Sequence, residues 1–222
     1  MSSYVAVFFI DDDGTTKIIT PQLNKEKLLH FSGLATKQLA TGGSHNKRMN
    51  KHALTLPPGS VESTAAARIT TWIANNSLTT PVQMTLENTN ITTFEQLVYT
   101  LAASNAFQIP RYLRGDGLRD ALYEYLHQGA VSLSEFAMLV EILPWDLSII
   151  NTAVHCVMYG ASRGPEFQPP EYELIVAYAK RVGMWEDRRG QRGMKSIGNA
   201  IGAKMRGRQV GDTAAAAAFG AI

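Results

Sequence analysis

The sequence contains very little cysteine. Among 222 residues there is one, Cys156, so an internal disulfide is excluded. A zinc site would need mainly histidines and carboxylates, and the five histidines show neither i, i+4 pairing nor a His-x-Glu arrangement. These absences predict an intracellular protein, cytoplasmic or nuclear, that holds no metal and no other cofactor.

Long apolar runs are absent as well. No stretch approaches the ~20 residues that a membrane-spanning helix needs. The apolar run at residues 4–10 has no basic residue before it and is followed by three aspartates, which differs from a secretory signal peptide. We therefore expect neither secretion nor a membrane partner.

The groups that an enzyme brings together are also missing from the sequence pattern. His155 and Cys156 are adjacent, so on a helix their side chains would point about 100° apart and could not form a bonded pair. Residues 11–14 begin like a calcium loop, but Gln22 stands where such a loop needs glutamate. The sequence therefore predicts a protein without catalytic activity and without a small-molecule substrate.

Composition and charge indicate a folded body with a basic tail. Hydrophobic residues make up 45% of the chain and charged residues 18%, which is typical of a globular protein. Residues 187–222 carry a net charge of +5, which leaves −3 for residues 1–186. The basic residues of the tail are Arg188, Arg189, Arg192, Lys195, Lys204, Arg206 and Arg208. Three interpretations stay open: a flexible solvated tail, a segment that binds nucleic acid or an anionic partner, and an amphipathic helix docked on a partner.

The N-terminal part of the chain favours strands and short helices. Residues 4–10 and 15–20 predict a β-hairpin with Gly14 in its turn and Pro21 at its end. Residues 24–39 have apolar side chains at helical spacing and predict two short helices. Further elements are predicted at 53–56 (strand), 61–75 (helix) and 82–86 (strand).

Two capping boxes predict the starts of later helices. In each, a hydroxyl residue stands three positions before a glutamate: Thr92 before Glu95, and Ser132 before Glu135. The first of these helices should end before Pro110. Further helices are predicted at 110–126, 132–143, 147–159 and 171–182, so that the C-terminal third is expected to be all helical up to the tail.

The order of these elements, together with several phrases, resembles the BTB/POZ family over residues 4–128. The phrase FEQLVYTLAASNAFQIP at 94–110 is the most similar and looks like the stretch that joins the last two helices of the family's domain. NKEKLLHFSGLA at 24–35 resembles its first helical hairpin, and LTLPP at 54–58 resembles its strand and turn before a helix. The later helices resemble the extension found in many fungal members.

The resemblance implies an α+β fold, with a BTB/POZ-like cluster of helices flanked by a small sheet and followed by a helical extension. The implied organisation is a domain at 1–128, a helical extension at 129–186 and a flexible basic, Gly/Ala-rich tail at 187–222. It also implies a protein-interaction module, acting as a homodimer or as an adaptor scaffold. Some relatives bridge a cullin-type ubiquitin ligase to a substrate, although no residue pattern in this sequence requires that role.

Partner contacts are expected in two regions. The first strand and helix are candidates for packing across a two-fold axis, and the turn at Pro110 joins two helices where the apolar stripe changes direction. The candidate partner-binding residues are Tyr4, Val5, Leu28 and Phe31 in the first region and Arg111, Tyr112 and Arg114 in the second. The alternative function is a nucleic-acid-associated regulator that uses the basic tail.

Overall fold

The computed structural model describes residues 3–11, 13–40, 52–59, 61–114, 116–128, 131–163, 169, 171–183, 185–188 and 191–194. The chain divides into two compact units, Met1–Glu124 and Tyr125–Ile222. Helices and a small sheet are both present, which confirms the predicted α+β class. In chain order the elements are β1 (Tyr4–Ile10), β2 (Thr16–Asn24), α1 (Lys25–Phe31), α2 (Gly33–Ala35), a π-helical segment (Thr36–Ala40), β3 (Ala53–Leu56), α3 (Ser63–Asn75), α4 (Phe94–Ala106), α5 (Arg111–Arg114), α6 (Asp116–His127), α7 (Leu133–Ile142), α8 (Leu147–Arg163), α9 (Tyr172–Arg181), β4 (Trp185–Arg188) and β5 (Gln191–Met194).

A three-stranded sheet begins the N-terminal unit. Its strand order is β2-β1-β3, with β1 antiparallel to β2 and parallel to β3. The predicted hairpin is confirmed, and Gly14 has φ 82°, the left-handed conformation that glycine adopts without strain. Val5 and Val7 of β1 are fully buried, as are Leu54 and Leu56 of β3. One face of the sheet therefore covers the core.

Strand β2 continues past Pro21, so the prediction that this proline ends the strand is wrong. Val5 stands opposite Leu23, and Val7 stands opposite Thr20. The two residues of β2 between Thr20 and Leu23 therefore lie opposite the one residue of β1 between Val5 and Val7, which is a β-bulge. Proline lacks the N–H that a regular ladder would need. It is tolerated at a bulge because a bulged residue is left unpaired, so no ladder hydrogen bond is lost. The bulge therefore lets the strand reach Asn24, which caps α1 by accepting from the N–H of Lys27 at 3.1 Å.

A side chain bonds the middle of the outer edge of β3. The Gln38 amide nitrogen donates to the Thr55 carbonyl oxygen at 2.9 Å, and its amide oxygen accepts from the Thr55 N–H at 3.2 Å. The Gln38 amide therefore bonds the middle of β3 as the backbone of a further strand would. Among the described residues, the outer edge of β2 has no comparable cap.

Ser32 divides the segment 24–39 into two helices, as predicted, and ties them to the end of α4. Its hydroxyl donates to the Phe107 carbonyl oxygen at 2.6 Å and accepts from the Ala35 N–H at 3.1 Å. Gly33 N–H donates to the Gln108 carbonyl oxygen at 3.1 Å. A serine that caps α2 thereby also satisfies a carbonyl at the C-terminus of α4.

Helix α3 is capped by Glu62, which the sequence pattern did not single out. Its two carboxylate oxygens each accept at 2.7 Å, one from the Thr64 N–H and the other from the Ala65 N–H. Partial burial by itself would raise the pKa of Glu62, but the hydrogen bonds from Thr64, Ala65 and Ser63 outweigh it, so the pKa lies below its usual value. The ionised carboxylate is therefore the form that caps the helix.

Residues 76–93 form an irregular loop, so the predicted strand at 82–86 is wrong. The Asn76 side chain donates to the Val82 carbonyl oxygen at 2.9 Å and accepts from its N–H at 2.9 Å. The buried Met84 donates its N–H to the Leu113 carbonyl oxygen at 2.8 Å. The segment is therefore held by an asparagine side chain and by α5 instead of by a neighbouring strand.

Helix α4 is capped by Thr93, one residue later than predicted. The Thr93 hydroxyl accepts from the Gln96 N–H at 3.2 Å, and the Gln96 side-chain oxygen accepts from the Thr92 N–H at 2.9 Å. Threonine occupies both positions, and glutamine can serve in such a cap as glutamate does. The sequence pattern therefore fits a cap at Thr92 or at Thr93, and in the structure Thr93 is the cap.

The predicted helix at 110–126 is described as two helical segments, α5 and α6, on either side of residue 115, which lies outside the described residues. Helix α6 lies close to the loop at 76–93. A Cβ atom added at Gly117 would stand 2.5 Å from the carbonyl oxygen of Met84, which is closer than nonbonded atoms approach. A glycine inside α6 thus allows the loop backbone and the helix to pack directly.

In the C-terminal unit, the capping box of α7 is confirmed. The Ser132 hydroxyl accepts from the Glu135 N–H at 3.3 Å, while the Glu135 carboxylate accepts from the Ser132 N–H at 2.8 Å. The Tyr125 hydroxyl donates to the same carboxylate, and this hydrogen bond raises the pKa of Tyr125 to about 12. Glu171 accepts from the Leu133 N–H at 2.5 Å. Within this unit, these bonds tie Tyr125 and the residue before α9, Glu171, to the start of α7.

The C-terminal third also contains strands, so the prediction that it is all helical is wrong. Strands β4 and β5 pair antiparallel, with Trp185 opposite Met194 and Arg188 opposite Gln191. Backbone hydrogen bonds hold such a pair of strands, so their sequences need not alternate apolar and polar residues. Without that alternation, the sequence pattern did not indicate strands at this place. The other predicted helices of this third are present as α8 and α9.

Candidate protein-interaction surfaces

The outer face of the sheet carries exposed apolar side chains. Alternate residues of a strand lie on opposite faces, so Tyr4, Phe8 and Ile10 lie opposite the buried Val5 and Val7. Ile18 stands directly opposite Phe8 and shares its face. We call Tyr4, Phe8, Ile10 and Ile18 the sheet surface. Tyr4 is 55% exposed and Ile18 is 60% exposed, whereas Phe8 and Ile10 are partly covered.

Three of the residues predicted to bind a partner lie in the core of the N-terminal unit. Val5, Leu28 and Phe31 are fully buried, and the Phe31 ring packs edge-on against Trp72 with centroids 5.4 Å apart. Their side chains would reach a partner only if the core opened. Of the candidates in the first region, Tyr4 alone is on the surface.

The second predicted region, at the junction of α4 and α5, is exposed. Tyr112 is 61% exposed and Arg111 is exposed beside it. Arg114 is half-buried and donates to the side-chain oxygen of Asn105 at 2.6 Å. We call Arg111, Tyr112 and Arg114 the junction surface, in which Arg114 braces α5 against α4 and the other two side chains face outward.

Sequence reasoning missed several other exposed apolar residues. Val82 is 59% exposed, and Leu86 is 37% exposed in the same loop as the buried Met84. In the C-terminal unit, Tyr159 is 56% exposed and Leu174 is 54% exposed. Ile18 lies in the predicted hairpin, but its exposure follows from the position of β2 at the edge of the sheet. The other four carry no periodic signal that separates exposed from buried positions.

Most of the basic tail lies outside the described residues. Arg189, Lys195, Lys204, Arg206 and Arg208 are not among them. For Arg188 and Arg192 the structure describes the backbone in β4 and β5, but not the side chains. The binding prediction for these seven residues therefore depends on charge alone.

The single thiol lies near a histidine that the sequence pattern did not connect with it. The Cys156 sulfur is 3.8 Å from Nδ1 of His127, whereas the adjacent His155 stacks on Tyr159 at 6.1 Å between ring centroids. Burial raises the pKa of the Cys156 thiol, so the protonated form is favoured and the reactive thiolate is disfavoured. This pair does not indicate a nucleophile.

The acidic turn at the tip of the hairpin is organised by its own residues. The Thr15 N–H donates to Asp11 at 2.9 Å and to Asp13 at 2.7 Å, and Lys17 forms an ion pair with Asp11. The hydrogen bond and the negative charge of Asp11 raise the pKa of Lys17. Across the part of the chain that the structure describes, no group of three or more His, Cys, Asp or Glu side chains is placed to hold a metal ion.

Comparisons of the chain with protein-family models, with curated proteins and with solved structures found no match. Within the described residues, no helix combines the length and the apolar character needed to cross a membrane. The functional inference therefore rests on the residues and surfaces of this chain alone.

Proposed function

We propose that the chain is an intracellular protein-interaction module of the BTB/POZ type that self-associates or serves as an adaptor scaffold and has no catalytic activity. The element order of the N-terminal unit supports the proposal: a β-hairpin, two short helices, a strand, a helix, and then the helices from Phe94 onward. This is the order that the resemblance implies, except that a loop stands where the strand at 82–86 was expected. The same stretch of chain holds the phrases that resemble this family.

The two surfaces of the N-terminal unit support a role in binding protein. Tyrosine and arginine are the residue types that most often anchor interfaces, because they combine apolar area with directional hydrogen bonding. Tyr4 is exposed on the sheet surface, and Arg111 and Tyr112 are exposed on the junction surface. The mechanism would be burial of these side chains against a partner, with a typical interface covering ~1,600 Å² in total.

A mass measurement on the full chain tests this proposal. We expect light scattering at micromolar concentration to give a mass above that of one chain, or a pull-down with the full chain to retain a specific protein partner. Tyr112→Ala should weaken retention of a partner bound at the junction surface by roughly tenfold or more, the loss typical of an interface anchor. A monomer that retains no protein would contradict the proposal.

A second candidate function, nucleic-acid association, is favoured by one observation. Residues 187–222 hold seven basic and two acidic residues, and such a segment can neutralise phosphates and displace their counterions. We expect the full chain to bind RNA or DNA with an affinity that falls steeply as salt is raised, and a chain without residues 187–222 to lose that binding. A matched variant with the seven basic residues changed to glutamine separates charge from length. Equal retention by all three proteins at low and at high salt would contradict this function.

A further inference from the structure

The backbone groups of β2 alternate between β1 and the outer edge of the sheet. The Asp11 N–H donates to the Thr15 carbonyl oxygen at 3.1 Å, which makes these two residues a hydrogen-bonded pair. In an antiparallel ladder, hydrogen-bonded pairs alternate with pairs whose N–H and C=O groups point away from each other. Thr16 opposite Ile10, and Ile18 opposite Phe8, are of the second kind. Thr16 and Ile18 therefore direct their N–H and C=O groups outward.

The pairing of β1 with β3 leads to the same orientation of the Thr16 and Ile18 backbone groups. The Ala6 N–H donates to the His52 carbonyl oxygen at 3.0 Å, on the β3 side. Alternation along β1 then directs the backbone groups of Phe8 towards β3 as well. Ile18 stands opposite Phe8, so by this alternation the two residues exchange no backbone hydrogen bonds. Two separate hydrogen bonds thus indicate that, among the described residues, the backbone groups of Thr16 and Ile18 have no partner at the edge.

The chemistry of this edge fits an extended strand. Two residues separated by one offer N–H and C=O groups at the spacing of a β-ladder, and another strand's backbone matches that spacing. The Ile18 side chain, 60% exposed beside Phe8, would be covered by a side chain of the added strand. At the opposite edge Gln38 already bonds the N–H and C=O of Thr55, so β2 is the open edge of the described sheet.

We propose that β2 pairs antiparallel with β2 of a second copy of this chain. This inference rests on the proposed interaction function and names where the contact lies. With Thr16 of each copy opposite Ile18 of the other, four backbone hydrogen bonds form across a two-fold axis, and each open edge satisfies the other. Lys17 then faces Lys17 of the second copy, but each is already paired with Asp11, which offsets their repulsion.

The predicted contact is short, so the dimer is expected to be weak. A register shift directly after Ile18 and the bulge around Pro21 end regular pairing after a few residues, and bulges and proline limit how far an edge strand can be extended. The buried area falls at the low end of specific interfaces, for which dissociation in the micromolar range or weaker is usual. Self-association should therefore depend clearly on concentration.

Thr16→Pro tests the pairing, with Thr16→Val as its matched control. Proline removes the outward N–H of Thr16 and no hydrogen bond within the chain, whereas valine keeps the N–H and the strand preference. In sedimentation velocity from ~1 to ~200 µM we expect a monomer–dimer equilibrium for the wild type and for Thr16→Val. The Thr16→Pro dimer should be about tenfold to hundredfold weaker, since one N–H is lost from each copy.

Hydrogen exchange of the wild type supplies a second readout that needs no variant. The amides of Thr16 and Ile18 should exchange more slowly as concentration rises through the dimer transition, while the amide of Tyr112, which lies in α5 outside the sheet, should not change. A wild type that stays monomeric, or a Thr16→Pro dimer as tight as that of Thr16→Val, would overturn the β2 pairing. The interaction function is tested separately, by capture of another protein and by self-association through another surface.

Discussion

Gly117→Ala should destabilise the N-terminal unit by about 2–4 kcal/mol, because the added methyl group meets backbone that cannot easily move. Its Cβ would stand 2.5 Å from the Met84 carbonyl oxygen. Met84 is itself fixed by burial and by its N–H bond to the Leu113 carbonyl oxygen at 2.8 Å. Urea unfolding, followed by circular dichroism and by exchange of amides in α4, measures the loss.

The direction of the change in stability distinguishes the close contact at Gly117 from the ordinary effect of replacing glycine in a helix. Gly117 lies in the first turn of α6, and within a helix glycine to alanine ordinarily stabilises by up to about 1 kcal/mol, because alanine loses less backbone freedom on folding. Asp120→Ala, at an exposed position of the same helix, serves as the control and should change stability by no more than about 0.5 kcal/mol. A Gly117→Ala protein as stable as the wild type would show that the loop at 76–93 is not packed against α6 as described.

Phe31→Ala should cost about 3–5 kcal/mol of the free energy of unfolding, the usual loss when a buried aromatic ring is removed from a core. Phe31 is fully buried and packs edge-on against Trp72. The sequence offered Phe31 as a partner-binding residue, so the experiment distinguishes a core position from a surface anchor. Thermal and urea unfolding of the full chain measure the difference.

Tyr112→Ala is the matched comparison for Phe31→Ala. Tyr112 is 61% exposed, so its loss should change stability by less than about 0.5 kcal/mol. If Phe31→Ala left stability unchanged while reducing partner binding, Phe31 would belong to an interface and the packing around α1 would be wrong.

Local signals predicted many elements but the limits of only some of them. The run of β-branched and aromatic residues gave β1 its observed bounds, and the Ser132 capping box gave the start of α7, because both depend on residues close in sequence. Pro21 was misinterpreted since a bulge depends on how β2 meets β1. Likewise, residues 82–86 have strand-like composition, but Asn76 and Leu113 take up their backbone bonds.

The candidate surfaces were harder to predict than the fold class. Alternation along β1 separates Tyr4 from Val5 but does not say which of the two faces solvent, because that depends on what the helices cover. Tyr112 was identified as exposed from its position beside Pro110, where the apolar stripe changes direction. Ile18 was missed, because its exposure follows from the place of β2 at the edge of the sheet, which the sequence does not state.

The closure of β3 by Gln38 limits what β2 pairing can build. A sheet that could add strands at both edges would polymerise without end, and that is how edge strands give rise to filaments. Among the described residues, the bonds of the Gln38 amide to Thr55 leave β2 as the open side of the sheet. In the proposed dimer, the open edge of each molecule is paired with that of the other. No open edge is left for a third molecule, so the assembly would stop at two copies.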